Sequence, residues 1–206
     1  MCELYWPHTE RKKEDFMKSI SHHVIRIVSI DPGVVNFCFR IEDRYNNGNV
    51  VTLAYTNIGL DNNNDKFVYL SKFLDKYTNE YAKTNIFVIE KQLYFSVGAF
   101  SVMHHVLSYF IKETKNKSNY PLIYLANASI KWNGITDKKP KNVKKWSIGK
   151  AIELLELRED TWSLRILDSA KKKDDLSDVV TQAEGIVRKL GLNYHITRAK
   201  IHLVCI

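Results

Sequence analysis

The sequence predicts one α/β domain on a mixed five-stranded sheet, three antiparallel strands followed by parallel ones, with helices on its faces. Three observations carry this. Residues 24–31 and 34–41 are apolar, β-branched runs separated by Pro32 and Gly33, and Asn47-Gly48 turns the chain into a third run, "VVTLAYTNI". After residue 60 the apolar positions change from alternate to helical spacing. Two short apolar runs, "NIFVIE" and "PLIYLA", then flank a second helical stretch, an order that calls for crossovers between parallel strands.

The first helix is expected in "LDNNNDKFVYLSKFLDKYTNEYAK", where Phe67, Leu70, Phe73, Leu74, Tyr77 and Tyr81 keep helical spacing after an Asn/Asp-rich start able to cap it. "NIFVIEKQ" follows as a buried fourth strand ending on Glu90. "FSVGAFSVMHHVLSYFIKET" reads as a mostly apolar helix, and "YPLIYLANAS" as the fifth strand. A lysine-rich loop leads to a helix in "WSIGKAIELLELR", and "KKKDDLSDVVTQAEGIVRKLG" gives the last helix with Gly191 as its stop. No internal repeat is present. The domain is expected over residues 24–191, with an N-terminal extension at 1–23 and a tail at 192–206 that suits an added edge strand or a partner-binding arm.

A chain of 206 residues is long enough for one well-packed domain, burying roughly 70% of its unfolded surface. No run approaches the ~18 uninterrupted apolar residues of a membrane span, and the first residues lack the apolar core of a secretory signal. Cys2, Cys38 and Cys205 are odd in number and widely spaced, which suits an intracellular, reducing compartment and neither a disulfide frame nor a zinc cluster. The net charge of +8 favours polyanionic partners. Basic residues gather at 10–13, 138–145 and 171–173; each run alone describes a solvated loop, and three on one small domain point to nucleic acid.

Against this basic background, carboxylates stand where the apolar pattern does not require them. Asp31 ends the first strand, Glu90 ends the fourth, and Asp175 and Asp178 open the last helix. Taken singly, each has a structural explanation: a turn before Pro32-Gly33, a solvated strand end, or acids complementing a helix dipole for about 0.3–1 kcal/mol. Taken together, neighbouring parallel strands bring Asp31 and Glu90 to one sheet edge. Carboxylates converging within about 4 Å repel by roughly 4 kcal/mol per pair at an effective dielectric near 20, so such a site asks for a cation. Oxygen ligands without His or Cys at ligand spacing select hard magnesium or manganese, and two such ions suit phosphodiester hydrolysis.

The strand order matches the ribonuclease-H-like architecture, and "SIDPGVVNF", "VIEKQ" and "KKKDDLSD" in this order resemble the RuvC-type Holliday junction resolvases, nearest to the viral and yeast mitochondrial branch. The resemblance spans about residues 27–190. It implies four acidic metal ligands at Asp31, Glu90, Asp175 and Asp178, and a catalytic lysine at Lys145, with Lys144 as the alternative. It further implies a homodimer that nicks opposing strands of a four-way DNA junction, with residues 100–111 as the natural two-fold surface. Lys91, Gln92, Lys138, Lys139, Lys141, Lys144, Lys171, Lys172 and Lys173 are expected to contact DNA. Tyr94 and Phe95 are expected to stack on unpaired bases or simply to begin the buried helix. His104 and His105 fit packing or solvent better than a role at the site. If the chain is viral, the expected location is the host cytoplasm. Two other functions stay open: cleavage of RNA–DNA hybrids and non-catalytic junction binding. A sugar-kinase or actin-like ATPase half would need a second domain and more glycine-rich phosphate turns than eight glycines supply.

Overall fold

The computed structural model describes residues 3–5, 16, 20, 23–60, 65–116 and 121–192. Strands β2 (Val24–Pro32), β3 (Phe37–Tyr45) and β4 (Val50–Ile58) form an antiparallel meander in which Asp31 lies opposite Cys38. The first turn is tight because Gly33 donates its N–H to the Asp31 carbonyl at 3.0 Å; a Cβ there would stand 2.3 Å from the Asn36 oxygen. On the other side of β2, strand β5 (Ile86–Glu90) runs parallel, followed by parallel β6 (Leu122–Ala126).

The five expected strands are joined by a sixth. Strand β1 (Glu3–Tyr5), from the segment before the core, pairs antiparallel with β6, so the order is β1-β6-β5-β2-β3-β4. Its pairing covers backbone groups that an edge strand would otherwise leave open. The tail beyond residue 192, read as an edge strand or an arm, lies outside the described residues.

The single helix expected after the meander is two, α1 (Lys66–Asp75) and α2 (Thr78–Tyr81). The chain leaves helical geometry at Tyr77 (φ −115°, ψ 18°), whose ring packs 5.0 Å from that of Phe39. Helix α3 (Val97–Thr114) covers the same sheet face and buries Val102, Met103, Val106, Leu107 and Phe110 within the subunit. Of residues 100–111, His104 and Ser108 are the exposed positions.

The opposite face carries a 3-10 turn (Ala128–Lys131) and helices α4 (Val143–Leu157), α5 (Thr161–Ser169) and α6 (Lys173–Leu190). Helix α5 has no counterpart in the sequence reading. Helix α6 stops at Gly191 in the left-handed conformation (φ 69°), as its position after the periodic run predicts. Leu176, Val179 and Val180 of α6 pack with Cys38, Tyr55 and Leu155. Beside this apolar cluster lies a buried ionic one. Glu42 on β3 accepts from Arg40 at 2.7 Å and Arg44 at 2.6 Å, with Arg158 at 3.5 Å. Glu184 on α6 accepts from Arg44 at 2.7 Å, Arg158 at 2.8 Å and Arg188 at 2.6 Å. Two glutamates thus tie β3, the end of α4 and α6 into one unit.

Candidate metal centre and active site

Parallel register carries Asp31 and Glu90 to the same end of adjacent strands, because Ile30 pairs with Ile89 immediately before them. Side chains alternate along a strand, so both acids emerge on the α6 face, where Asp178 meets them. One carboxylate oxygen from each of Asp31, Glu90 and Asp178 lies within 4.8 Å of the others. Asp178 is held from behind by the Ser147 hydroxyl, which donates at 2.6 Å. Asp175 lies one turn earlier, its carboxylate 2.9 Å from the Lys172 ammonium, and lines a groove of about 410 Å³ with Asp31, Gly33, Asn36 and Ser96.

A residue that the sequence reading missed stands inside this cluster. Lys131, at the end of the 3-10 turn, is 5% exposed; its Nζ lies 2.7 Å from Glu90 and donates a short hydrogen bond to Asp178. Burial opposes its charge, but Glu90, then Asp178 and Asp31, outweigh burial and hold its pKa above the ordinary lysine value. One ammonium does not satisfy the acids. Burial, then the Glu90 charge, push Asp31 well above the ordinary aspartate value, and burial pushes Glu90 up despite the opposing pull of Lys131. Glu90 Oε2 is buried, with the Lys131 ammonium at 2.7 Å as its charged neighbour. The donor set is all oxygen, close together and short of positive charge, which fits a hard divalent cation. Cys38, across from Asp31, is a buried free thiol whose pKa is pushed up by burial, so it is a packing group and not a nucleophile.

The other expected residues fall around the mouth or on the outer surface. Lys144 is exposed and pairs with Asp174 at 2.8 Å. Lys145 is exposed in the first turn of α4, where its backbone N–H is capped by Asn142 Oδ1 at 3.0 Å. Lys138, Lys139, Lys141, Lys171 and Lys172 are exposed, and Lys173 pairs with Asp168 at 2.7 Å. Lys91 and Gln92 are half-buried directly after Glu90. Tyr94 and Phe95 are 78% and 69% exposed and precede the helix that starts at Val97, so they do not begin its buried face. Leu93, Val97 and Val35 extend this exposed apolar lip, and Val35 and Val97 line the groove itself. His105 bonds Ser71 at 2.9 Å and stacks on Phe67, while His104 packs on Phe100.

The fold is shared with solved Holliday junction resolvases. The yeast mitochondrial Holliday junction resolvase Ydc2 superposes with a TM-score of 0.57 at 18% identity, over 88% of this chain and 87% of that one. Thermus thermophilus RuvC superposes at 0.52 with 12% identity, over 80% of this chain and 96% of that one; its complex with a Holliday junction substrate gives the same score. In sequence, the chain is 32% identical over 139 residues to protein 170L of Invertebrate iridescent virus 6. That match spans 57% of this chain and 56% of the viral protein. No family model matches the chain. No helix among the described residues is long and apolar enough to cross a membrane.

Proposed function

We propose that the chain is a divalent-metal-dependent, structure-selective DNA endonuclease, a Holliday junction resolvase that makes paired, symmetric nicks across a four-way junction by phosphodiester hydrolysis. The observation that carries this reading is the convergence of Asp31, Glu90 and Asp178 from three separate elements of a resolvase fold. Magnesium is the proposed ion, two per site with manganese as a substitute, and Asp31, Glu90, Asp175 and Asp178 are the residues that would hold it. When bound, such ions supply Lewis acidity toward phosphate oxygens and water made nucleophilic near neutral pH.

The chain's own residues do the rest. Lys131 adds a fixed positive charge at Glu90 and Asp178 and is assigned as the lysine acting at the carboxylates; Lys144 and Lys145 are assigned to the phosphate side of the mouth. Lys138, Lys139, Lys141, Lys171, Lys172 and Lys173 contribute phosphate contacts whose affinity falls with salt. Lys91 and Gln92 border the strand next to Glu90, and Tyr94 with Phe95 offers ring faces to unpaired bases. The working unit is assigned as a homodimer, since two nicks need two sites, acting in a reducing intracellular compartment. The viral relative favours a viral source and the host cytoplasm.

A nicking assay on a synthetic mobile junction tests this reading. Paired nicks are expected with Mg²⁺ or Mn²⁺ and none with Ca²⁺ or chelator. Preferential cutting of an RNA–DNA hybrid, or junction binding without cutting in any metal, would replace it with one of the two other readings.

A further inference from the structure

Three residues of α6 spaced four and three apart, Asp178, Gln182 and Gly185, share one face of the helix. Asp178 belongs to the acidic cluster; the other two are not among its members. Gln182 is fully buried, and its Nε2 donates to the Ile30 carbonyl at 3.1 Å and the Val88 carbonyl at 2.9 Å, with Ser29 Oγ 3.2 Å away. Ile30 immediately precedes Asp31, and Val88 stands two residues before Glu90. One amide therefore ties the helix bearing Asp178 to both strands bearing the other acids. One turn further, Gly185 lies against the 3-10 turn, and a Cβ on it would stand 1.9 Å from the Ile130 carbonyl oxygen. Ile130 immediately precedes Lys131. The absent side chain lets that turn sit directly on α6 and brings Lys131 between Glu90 and Asp178.

We propose that Gln182 and Gly185 are positioning residues of the acidic site: Gln182 sets the spacing of Asp178 from Asp31 and Glu90, and Gly185 sets the depth of Lys131. This rests on the metal-site reading above and adds what holds it in register. A second helical glycine supplies the control, because a Cβ at Gly149 on α4 would meet nothing within 4 Å.

The test uses the full DNA-free chain and two readouts: Mn²⁺ affinity by calorimetry, and acetylation of Lys131 relative to Lys139 by mass spectrometry. Gly185→Ala is expected to raise Lys131 acetylation several-fold and, like other losses of support behind metal ligands, to weaken Mn²⁺ binding by about 10- to 100-fold. Gln182→Met, which keeps the volume and removes the donors, is expected to weaken Mn²⁺ binding over the same range while Lys131 stays protected. Gly149→Ala should change neither. A folded Gly185→Ala protein with wild-type acetylation and Mn²⁺ affinity overturns the proposal. Should that variant not fold, wild-type Mn²⁺ affinity in Gln182→Met overturns it instead. If the wild-type chain binds no Mn²⁺, the metal-site reading fails, and the acetylation ratio still decides whether Gly185 seats Lys131.

Discussion

Asp31→Asn is expected to lower junction nicking by ~10³-fold or more, equivalent to about 4 kcal/mol of lost transition-state stabilisation, while junction binding in Ca²⁺ stays at the wild-type level. Asparagine keeps the shape and one oxygen but removes the charge that would hold the ion. The same variant should be more stable than wild type in chelator, by about 0.5–2 kcal/mol, as is common when a strained functional group is neutralised. The sign follows from the raised pKa values of Asp31 and Glu90. The metal-free folded chain binds more protons than the unfolded one at pH values above the ordinary carboxylate pKa, so this term's stabilisation falls as pH rises toward the raised values. Melting temperatures in chelator from mildly acidic to neutral pH, read beside nicking rates, check both parts. Nicking unchanged by Asp31→Asn would contradict the role of Asp31 at a catalytic metal site, whereas junction binding with no nicking in wild type would leave a junction-binding protein without catalysis.

Glu42→Gln is expected to destabilise the fold by about 3–5 kcal/mol, because the substitution removes the negative charge shared by buried Arg40, Arg44 and Arg158 and sets an amide donor against guanidinium donors. Glu184→Gln should act similarly through Arg44, Arg158 and Arg188. Burial opposes ionisation of Glu42, yet the three arginines hold its pKa far below the carboxylate range. Arg44, Arg158 and Arg188 likewise pull Glu184 down to about 2 against burial. Crowding has a converse effect on Arg158, whose pKa is lowered to about 10 by burial and by Arg44. Depressed acids stabilise the fold above their unfolded pKa, and that contribution disappears as pH falls toward about 2 in the case of Glu184. Urea titration of the two variants at neutral pH measures the effect; midpoints equal to wild type would contradict it.

Strands β2 and β5 were legible because their apolar runs end abruptly on charge. Asp31 and Glu90 each close a buried strand, and parallel register does the rest. Asp178 was legible because α6 keeps its apolar stripe through four turns, which fixes the phase of every other position. Lys131 escaped because a four-residue 3-10 turn has no periodicity to read, and its burial depends on Gly185 meeting the Ile130 carbonyl 55 positions later in the chain. A lone lysine shortly after a buried strand's last residue was the available signal. On β3, Arg40, Glu42 and Arg44 alternate as a solvated strand face would. They are buried because α4, α5 and α6 close over them, an arrangement that local pattern does not encode. Helix α5 was missed for a related reason: within nine residues it buries Ser163 and Leu167 and points Trp162 and Arg165 outward.

Whether those acids grip a divalent ion is decided most directly by anomalous diffraction at the manganese edge from crystals grown in Mn²⁺. An anomalous peak bounded by Asp31, Glu90 and Asp178, and lost in Asp31→Asn, is the expected result. Well-ordered carboxylates with no peak among them at millimolar Mn²⁺ would contradict it.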